Sequence, residues 1–571
     1  MQILKQKLAK ALSEKINETF AVQIPANEIN DMLEYPPSED IGDLALPCFK
    51  LSRTLRKAPP VIASELAGKL NNADFSSIEA VGGYLNFRIN AYGFVKRVVS
   101  DVTEKGKRYG SPENGAGKTV VLDYSSPNVA KPFHIGHLGT TVIGHSLKLL
   151  HEFAGYKCIG INHLGDWGTQ FGKVITAYRL WGSHEEVEKG GVDELVALYV
   201  RFHKEAETNP ELNDKAREEF SKLEAHDPEN TKLWKWFIEI SLREYKKTYK
   251  MLGIEFDSYN GESFYTDKMP EQIQILRDKH LLELDDGASV VNLEKWNMPP
   301  CLILKRDGST LYPTRDIAAA VYRARTYNFD KCIYVTSAGQ SLHFAQWFKV
   351  VELMGYPWYN RLVHVPYGTV SINGAKLATR SGNVILLRDL FEQAIEKVTA
   401  IMEEKNPQLK GRYDIAEAVG VGAIVFYYLS NNRIRDINFM LDDALSFEGN
   451  TGPYAQYTYA RTCSILEKAD YGGAKCDVVS ENIGDDEKSL AKVISEFPSK
   501  VECAIEQYEP SIVTRFILDL CAAFNRFYHN CKIINCEDEN LRETRIALTR
   551  ATNTVLGVAL GLICMKKPEK I

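Results

Sequence analysis

The stretch DYSSPNVAKPFHIGHLGTT, residues 123–141, sets His134 and His137 three residues apart with Gly136 between them, directly after the apolar run TVVLDY. On a helix that spacing places the two imidazoles one turn apart on one face, beside first-turn N–H groups that are unsatisfied and partly positive. Phosphate is the natural ligand of such an end. Imidazoles there can donate hydrogen bonds to a phosphorus centre as negative charge develops, and Gly136, lacking a side chain, lets a flat base approach the helix. Two plainer readings compete. A lone HxxH is more often a pair of unrelated surface or core histidines, and as a zinc pair it lacks the HExxH glutamate and nearby cysteines. Its place between a buried strand and a helix favours nucleotide chemistry without a glycine-rich phosphate loop.

The elements that must hold these histidines follow from the patterns on either side. TVVLDY reads as a buried strand; a loop runs through Pro127 and Pro132; a helix extends from near His134 to His151 and stops at Gly155; KCIGIN is a second strand. A strand, helix, strand crossover of this kind is right-handed and belongs to a parallel sheet. Ligands of such sheets bind at the carboxyl ends of the strands where the sheet order switches, which is where loop 125–133 lies. From about 174 to 256 the pattern breaks into charged helices, an insertion whose charges read mainly as a solvated face. Alternation resumes with CLILK, a turn at Asp307 and Gly308, the helix RDIAAAVYRARTY, the strand KCIYVTSA, the helix SLHFAQWFKVVELMGY and the strand RLVHVPYGTVS, read as a second half-sheet. Beyond about 390 helical patterns dominate. Residues 1 to about 110 carry amphipathic helices and one strand-like stretch, GGYLNFRIN, and KRYGSPENGAGKT reads as a linker. The expected organisation is a small α+β domain over 1–110, an α/β domain over 111–390 with a helical insertion near 174–256, and an all-α bundle over 391–571.

Composition sets broad limits. A chain of 571 residues, 44% hydrophobic and 25% charged, has room for three or four globular domains and favours a multidomain enzyme. The formal charge of -6 neither demands nor excludes nucleic acid, because a basic groove can sit on an acidic protein. Eleven scattered cysteines with no CxxC read as reduced intracellular thiols, so no structural metal is expected. MQILKQKLAKALSEKI is not a secretory signal, and VLGVALGLICM is too short to span a bilayer. These features lead us to expect a cytoplasmic, soluble protein with no membrane partner.

Six blocks give the sequence a family resemblance. SSPNVAKPFHIGH resembles the first signature of the class I aminoacyl-tRNA synthetases in the form used by arginyl-tRNA synthetases, and NHLGDWGTQFG (162–172) is similar to that family's next block. YNGESFY (259–265), LYPTRDIAAA (311–320), GQSLHFAQ (339–346) and LSFEGNTGPYAQYTYAR (445–461) continue it in the family's order over nearly the whole chain. The resemblance implies a Rossmann-type parallel-sheet catalytic domain, an N-terminal domain that contacts the corner of the tRNA, and a helical anticodon-binding domain. It implies activation of L-arginine by ATP, with Mg2+, to arginyl-adenylate and transfer to the 3′ end of tRNA(Arg). By the same resemblance His134 and His137 would stabilise the transition state at the α-phosphate, with Gly136 under the adenine. Asp123, Ser126, Asn128, His137, Glu262, Tyr312, Asp316 and Gln340 would line the arginine pocket. Tyr312 and Asp316 share a face at a helix start, and a carboxylate suits a planar guanidinium. Asp316 alone would read as an ordinary first-turn carboxylate. Such a pocket leaves buried charges unmatched when a smaller amino acid enters, so no editing domain is expected.

For tRNA, Tyr454, Tyr457 and Tyr459 interleave with Arg461 in a pattern suited to stacking splayed bases, although packing at a helix interface accounts for at least one of the three. Binding should weaken as salt rises. A monomer is expected. The second class I signature departs from its usual form. In GAKLATRSGN (374–383), Lys376 matches the first lysine of that loop, while Thr379 or Arg380 stands where the second belongs. Lys131, three residues ahead of His134, is expected to supply the missing cation, with Arg380 assisting. Gly139 stands where relatives often have arginine, and GDLALP (42–47) lacks the aromatic common after GD. Two alternatives stand beside this reading: a free-standing nucleotidyltransferase, which could use the same strand, loop and HxGH, and a catalytically impaired synthetase-like tRNA-binding protein, suggested by the incomplete second signature.

Overall fold

Four parallel strands form the centre of the computed structural model, which describes residues 1–38, 40–372, 374–376, 385–408, 410–469 and 478–571. The strands are β1 (Thr119–Asp123), β2 (Lys157–Ile161), β3 (Lys331–Ser337) and β4 (Leu362–Tyr367), in the spatial order β4-β3-β1-β2. Their valines, isoleucines and leucines face both ways because both faces are covered. Val120 and Leu122 join a core with α1 (Leu138–Phe153) and the C-terminal helices. Val121 faces the opposite core, beneath α3 (Tyr312–Tyr327) and α4 (Ser341–Leu353). α1 returns the chain from β1 to β2, and it crosses close to Tyr124: a Cβ at Gly144 would lie 2.3 Å from that of Tyr124. The chain later enters β3 on the other side of β1, so the order switches between β1 and β3. That is where an open parallel sheet offers a ligand crevice.

The insertion is helical throughout, from Thr169–Trp181 to α2 (Pro228–Leu252). It has its own core of Phe171, Leu195, Phe202 and Phe237, to which Val129, Ala130 and Leu164 are packed. The charged stretch within it behaves as expected, since Glu211–Glu224 turns Leu212, Ala216 and Leu223 inward.

Two expectations are corrected. The run CLIL does not enter the parallel sheet. Cys301–Leu304 is the edge of a separate antiparallel sheet with Glu283–Asp285 and Ala288–Val291. The turn that builds it, Asp286 and Gly287, has both residues at positive φ, 47° and 81°, as a two-residue hairpin requires. At the N-terminus the strand Tyr84–Ile89 is flanked on both sides, by Leu44–Pro47 and Phe75–Val81, in an antiparallel sheet.

This N-terminal domain is docked on the helical end. Asp43 accepts the Ile89 N–H at 2.7 Å, and its other carboxylate oxygen lies 2.6 Å from Lys492 and 3.7 Å from Lys488 on the helix Asp485–Glu506. Asp43 thus fills GDLALP's second position with a buried ion-pair cluster. The linker is also packed: Tyr109 stacks on Phe497 and donates its hydroxyl to the Ile494 carbonyl at 3.3 Å. Among the described residues the C-terminal part carries six long helices: Leu387–Lys405, Arg412–Leu429, Gly452–Lys468, Asp485–Glu506, Ser511–Asn530 and Glu539–Leu562. Among the described residues no helix is long and apolar enough to cross a membrane.

Candidate active site

The loop from β1 to the histidines holds three non-glycine residues in the left-handed region: Ser125 (φ 71°), Ser126 (φ 46°) and Ala130 (φ 55°). Each such residue costs about 1–3 kcal/mol and persists only where the surroundings dictate it. Here α1 and α2 do so. Thr140 accepts the Ser125 N–H at 3.0 Å, and the Ser125 hydroxyl lies 2.8 Å from that of Thr141 and 2.7 Å from that of Tyr249. Ser241 accepts the Ala130 N–H at 3.0 Å, and the Tyr245 hydroxyl lies 2.8 Å from both the Asn128 and the Lys131 carbonyls. Ser241, Tyr245 and Tyr249 recur every four residues along α2, one stripe gripping one loop. Sequence reasoning missed them. Their only signal was a helical repeat of polar-tipped side chains inside an insertion.

His134 caps the 3-10 turn Ile135–His137 that leads into α1. Its Nδ1 accepts the Gly136 N–H at 3.0 Å, and its own N–H donates to His137 Nδ1 at 3.2 Å. With both Nδ1 atoms accepting, each ring carries its proton on Nε2, and two Nε2–H donors are left for a ligand. The rings lie 4.0 Å apart, and Phe133 stacks on His137 at 5.2 Å. Burial lowers the pKa of His134 to about 4 and of His137 to about 3, the latter helped by His134 itself. Both imidazoles are therefore neutral donors at physiological pH. Lys131 is half-buried, burial alone depresses its pKa, and no carboxylate of the described residues pairs with it. Leu386 forms a bridge with His134, the Ile135 N–H donates to the Ile385 carbonyl at 3.3 Å, and that of Leu387 donates to the Phe133 carbonyl at 2.9 Å. Residues 385–387, which follow the second signature, thus lie against the first. Lys376 pairs with Ser371 through its backbone; Arg380 lies outside the described residues.

The expected arginine-pocket residues surround the same sheet end. Asp123 closes β1, Tyr312 and Asp316 start α3, Gln340 sits on the exposed turn between β3 and α4, and Glu262 opens the turn Glu262–Lys268. Asn128 lies over Gly165, where a Cβ would come within 2.0 Å of its side-chain oxygen. The three carboxylates already have partners in the chain. Asp123 binds Arg323 at 2.8 Å and accepts the Ser126 hydroxyl at 2.9 Å. Glu262 pairs with Arg315, and Asp316 meets His343 Nε2 at 2.6 Å. Asp123, expected among the arginine-pocket residues, is thus also bound up in the scaffold through Arg323 and Ser126. Burial pushes Glu262 up to about 7, with Arg315 opposing and Asp316 and Asp166 adding to the shift. A cationic ligand arriving there favours the ionised form. Tyr312 is 63% exposed and leaves the mouth open.

Comparison with known proteins decides the family. Residues 98–441 match the family described as tRNA synthetases class I (R), catalytic domain; residues 2–89 match the arginyl tRNA synthetase N terminal domain, and 455–571 the DALR anticodon binding domain. An arginine–tRNA ligase from Alkaliphilus metalliredigens is 50% identical over 562 residues, covering 98% of this chain and 99% of the relative. One from Halothermothrix orenii is 49% identical over 99% of both. The chain belongs to the arginyl-tRNA synthetase family. The fold agrees with the arginyl-tRNA synthetase of Thermus thermophilus, at a TM-score of 0.79 and 24% identity over 100% of both chains.

Two features of this arginyl-tRNA synthetase family member bear on its departures from pattern. At Gly139 a Cβ would lie 2.2 Å from the Tyr428 hydroxyl, so Tyr428 occupies the space an arginine side chain would need. On the bundle, the Arg461 guanidinium lies between the rings of Tyr457 and Tyr528, 4.9 and 5.0 Å away, and pairs with Asn525, which also donates to Tyr454 at 2.9 Å. Tyr457 and Tyr528 are exposed. Tyr459 is not: it is buried against Gly557 and under Lys567, which removes it from the expected base-stacking set. Tyr528 was missed because it lies on another helix.

Proposed function

We infer that the protein activates L-arginine with ATP to arginyl-adenylate and transfers the arginyl group to the 3′ end of tRNA(Arg). The observation that carries this reading is that two kinds of group gather about the carboxyl end of one parallel sheet: the neutral Nε2–H donors of His134 and His137 after β1, and the acidic set of Glu262 and Asp316, the latter at the start of α3, which leads into β3. Neutral donors aimed at a phosphorus centre stabilise charge that develops only in the transition state. Gly136 leaves room for the adenine. Lys131 and Lys376 meet the phosphates, with Arg380 assisting, and Mg2+ travels with ATP, since it binds through phosphate oxygens and retained waters. Asp316 and Glu262 hold the guanidinium and ammonium ends of arginine, assisted by Ser126, Asn128, Tyr312 and Gln340. The N-terminal domain and the face carrying Tyr454, Tyr457 and Arg461 engage tRNA. We place the protein in the cytoplasm as a monomer; its ten described cysteines are all free thiols, in keeping with that compartment.

The test is ATP–pyrophosphate exchange by purified protein with arginine, run with and without tRNA(Arg). Exchange that appears only with tRNA supports the reading. Exchange without tRNA, or with another amino acid, favours the nucleotidyltransferase or a different specificity, and absence of any charging favours the impaired tRNA-binding protein. Within the same assay Lys131→Ala is expected to lower exchange about 10- to 100-fold, the worth of a hydrogen bond to a charged group, and Arg380→Ala much less. Comparable small losses from both would remove Lys131 from its assigned place.

A further inference from the structure

Arg388 is the second residue of the helix Leu387–Lys405, directly after the segment whose backbone pairs with Ile135 and His134. Its guanidinium faces three carboxylates: Asp193 at 2.7 Å, Glu244 at 3.3 Å and Asp389 at 3.1 Å. Asp193 and Glu244 belong to the helical insertion. They and Arg388 line a groove of about 550 Å³ between residues 188–193 and α2. Glu244 stands next to Tyr245, whose hydroxyl holds the Asn128 and Lys131 carbonyls. One helix, α2, therefore grips the loop of the first signature ahead of the histidines through Ser241, Tyr245 and Tyr249, and the chain after the second through Glu244 and Arg388.

Global stability does not explain this clamp. The side chains of Arg388 and Asp193 are 37% and 51% exposed, and ion pairs so placed add little to folding. What the clamp does fix is a distance. Arg388 can reach several carboxylates at once because its guanidinium is a rigid fork; a lysine is a single point charge.

We propose that Arg388 is a positioning residue for the activation step: by tying Asp193 and Glu244 of the insertion to residues 385–388, it holds this segment, which follows the second signature, at the height where Leu386 pairs with His134. The insertion's placement is thereby read at the phosphate site. The proposal rests on the ATP-dependent reading above for its kinetic arm only.

The test compares Arg388→Gln, Arg388→Lys and Asp193→Asn with the natural chain by two readouts. In pyrophosphate exchange with saturating arginine and tRNA(Arg), Arg388→Gln is expected to raise KM for ATP about 3- to 30-fold, the range of coupling carried by such networks, with KM for arginine within about twofold. Arg388→Lys and Asp193→Asn, which each keep part of the clamp, fall between. In hydrogen exchange, the amides of Ile135 and Leu387, which cross between the first signature and residues 385–387, lose protection in Arg388→Gln while those of Val121 and Leu122 in β1 keep theirs. Unchanged KM for ATP together with unchanged protection overturns the proposal, as does a uniform fall in every kinetic parameter with loss of protection across β1. If the natural chain shows no exchange with arginine, the reading of function fails, and the amides of Ile135 and Leu387 still decide the clamp.

Discussion

His137→Asn is expected to lower kcat for arginine activation about 10²- to 10³-fold while leaving the fold intact, the loss seen when one preorganised transition-state donor is removed. The asymmetry of the ring explains the choice of asparagine. Its side-chain oxygen stands where Nδ1 stands and continues to accept the His134 N–H, which Nδ1 now accepts at 3.2 Å. Nothing replaces the Nε2–H. Glutamine reverses the exchange: its amide nitrogen reaches the Nε2 position and its chain gives up the Nδ1 contact, so His137→Gln should recover part of the rate. Steady-state exchange and thermal unfolding of both variants measure this. Equal losses in two well-folded variants would mean that the ring acts through packing against Phe133, 5.2 Å away, and not through its outer nitrogen.

The same geometry fixes a pH dependence. Burial holds the folded-state pKa of His134 near 4 and of His137 near 3, below the unfolded value of about 6.5. Below that value the unfolded chain binds more protons than the folded one, so the stability tied to these neutral rings is complete above pH 6.5 and drains away as pH falls toward 4 for His134 and toward 3 for His137. Above pH 6.5 neither ring changes charge. kcat should therefore show no limb from these histidines between pH 8 and 6.5, and a kcat that falls as pH rises through about 6.5, a dependence lost in His137→Asn, would show that the ring works as a cation.

The sequence made the strand, loop and helix around the histidines legible because the apolar run, the prolines and the helical repeat are local signals. The Tyr312 and Asp316 pair was legible only through the block LYPTRDIAAA, since Asp316 alone reads as an ordinary first-turn carboxylate. What it did not disclose were the partners brought from elsewhere: Arg323 for Asp123, Arg315 for Glu262, His343 for Asp316. No local pattern marks a carboxylate as already paired, and each partner reads by itself as a helix residue like any other. Ser241, Tyr245 and Tyr249 were hidden differently, since a polar-tipped stripe on an amphipathic helix looks the same whether it meets solvent or a strained loop. Tyr459 was a misreading that helix geometry could have prevented. At 100° per residue Tyr454, Tyr457 and Arg461 fall on one side of the helix and Tyr459 on the other. The missed hairpin at 283–291 turns on Asp286 and Gly287, a strong local sign obscured by strands only three and four residues long.

Arg323→Met should cost about 3–5 kcal/mol of stability, the penalty for leaving one partner of a buried ion pair alone. Arg323 is 1% exposed, lies between the rings of Tyr265 and Tyr334 at 5.9 and 5.3 Å, and is the only cation that meets Asp123 among the described residues. Methionine keeps much of the volume and removes the charge, so the loss falls on Asp123. Asp123→Asn in the same chain should recover a large part of it, because a neutral amide is far less costly to bury than an unpaired carboxylate. Urea unfolding of the three variants measures the cycle; a single Arg323→Met loss below about 1 kcal/mol, or a double variant no better than the single, would contradict the pairing. The double variant also separates scaffold from pocket. Asp123 accepts the Ser126 hydroxyl at 2.9 Å, and an amide oxygen can accept it as well. If the carboxylate serves only to close β1 and orient Ser126, stability and KM for arginine return together in the double variant. If stability returns while KM for arginine stays high, the negative charge of Asp123 reaches the amino acid despite Arg323, and the pocket has a third acidic wall.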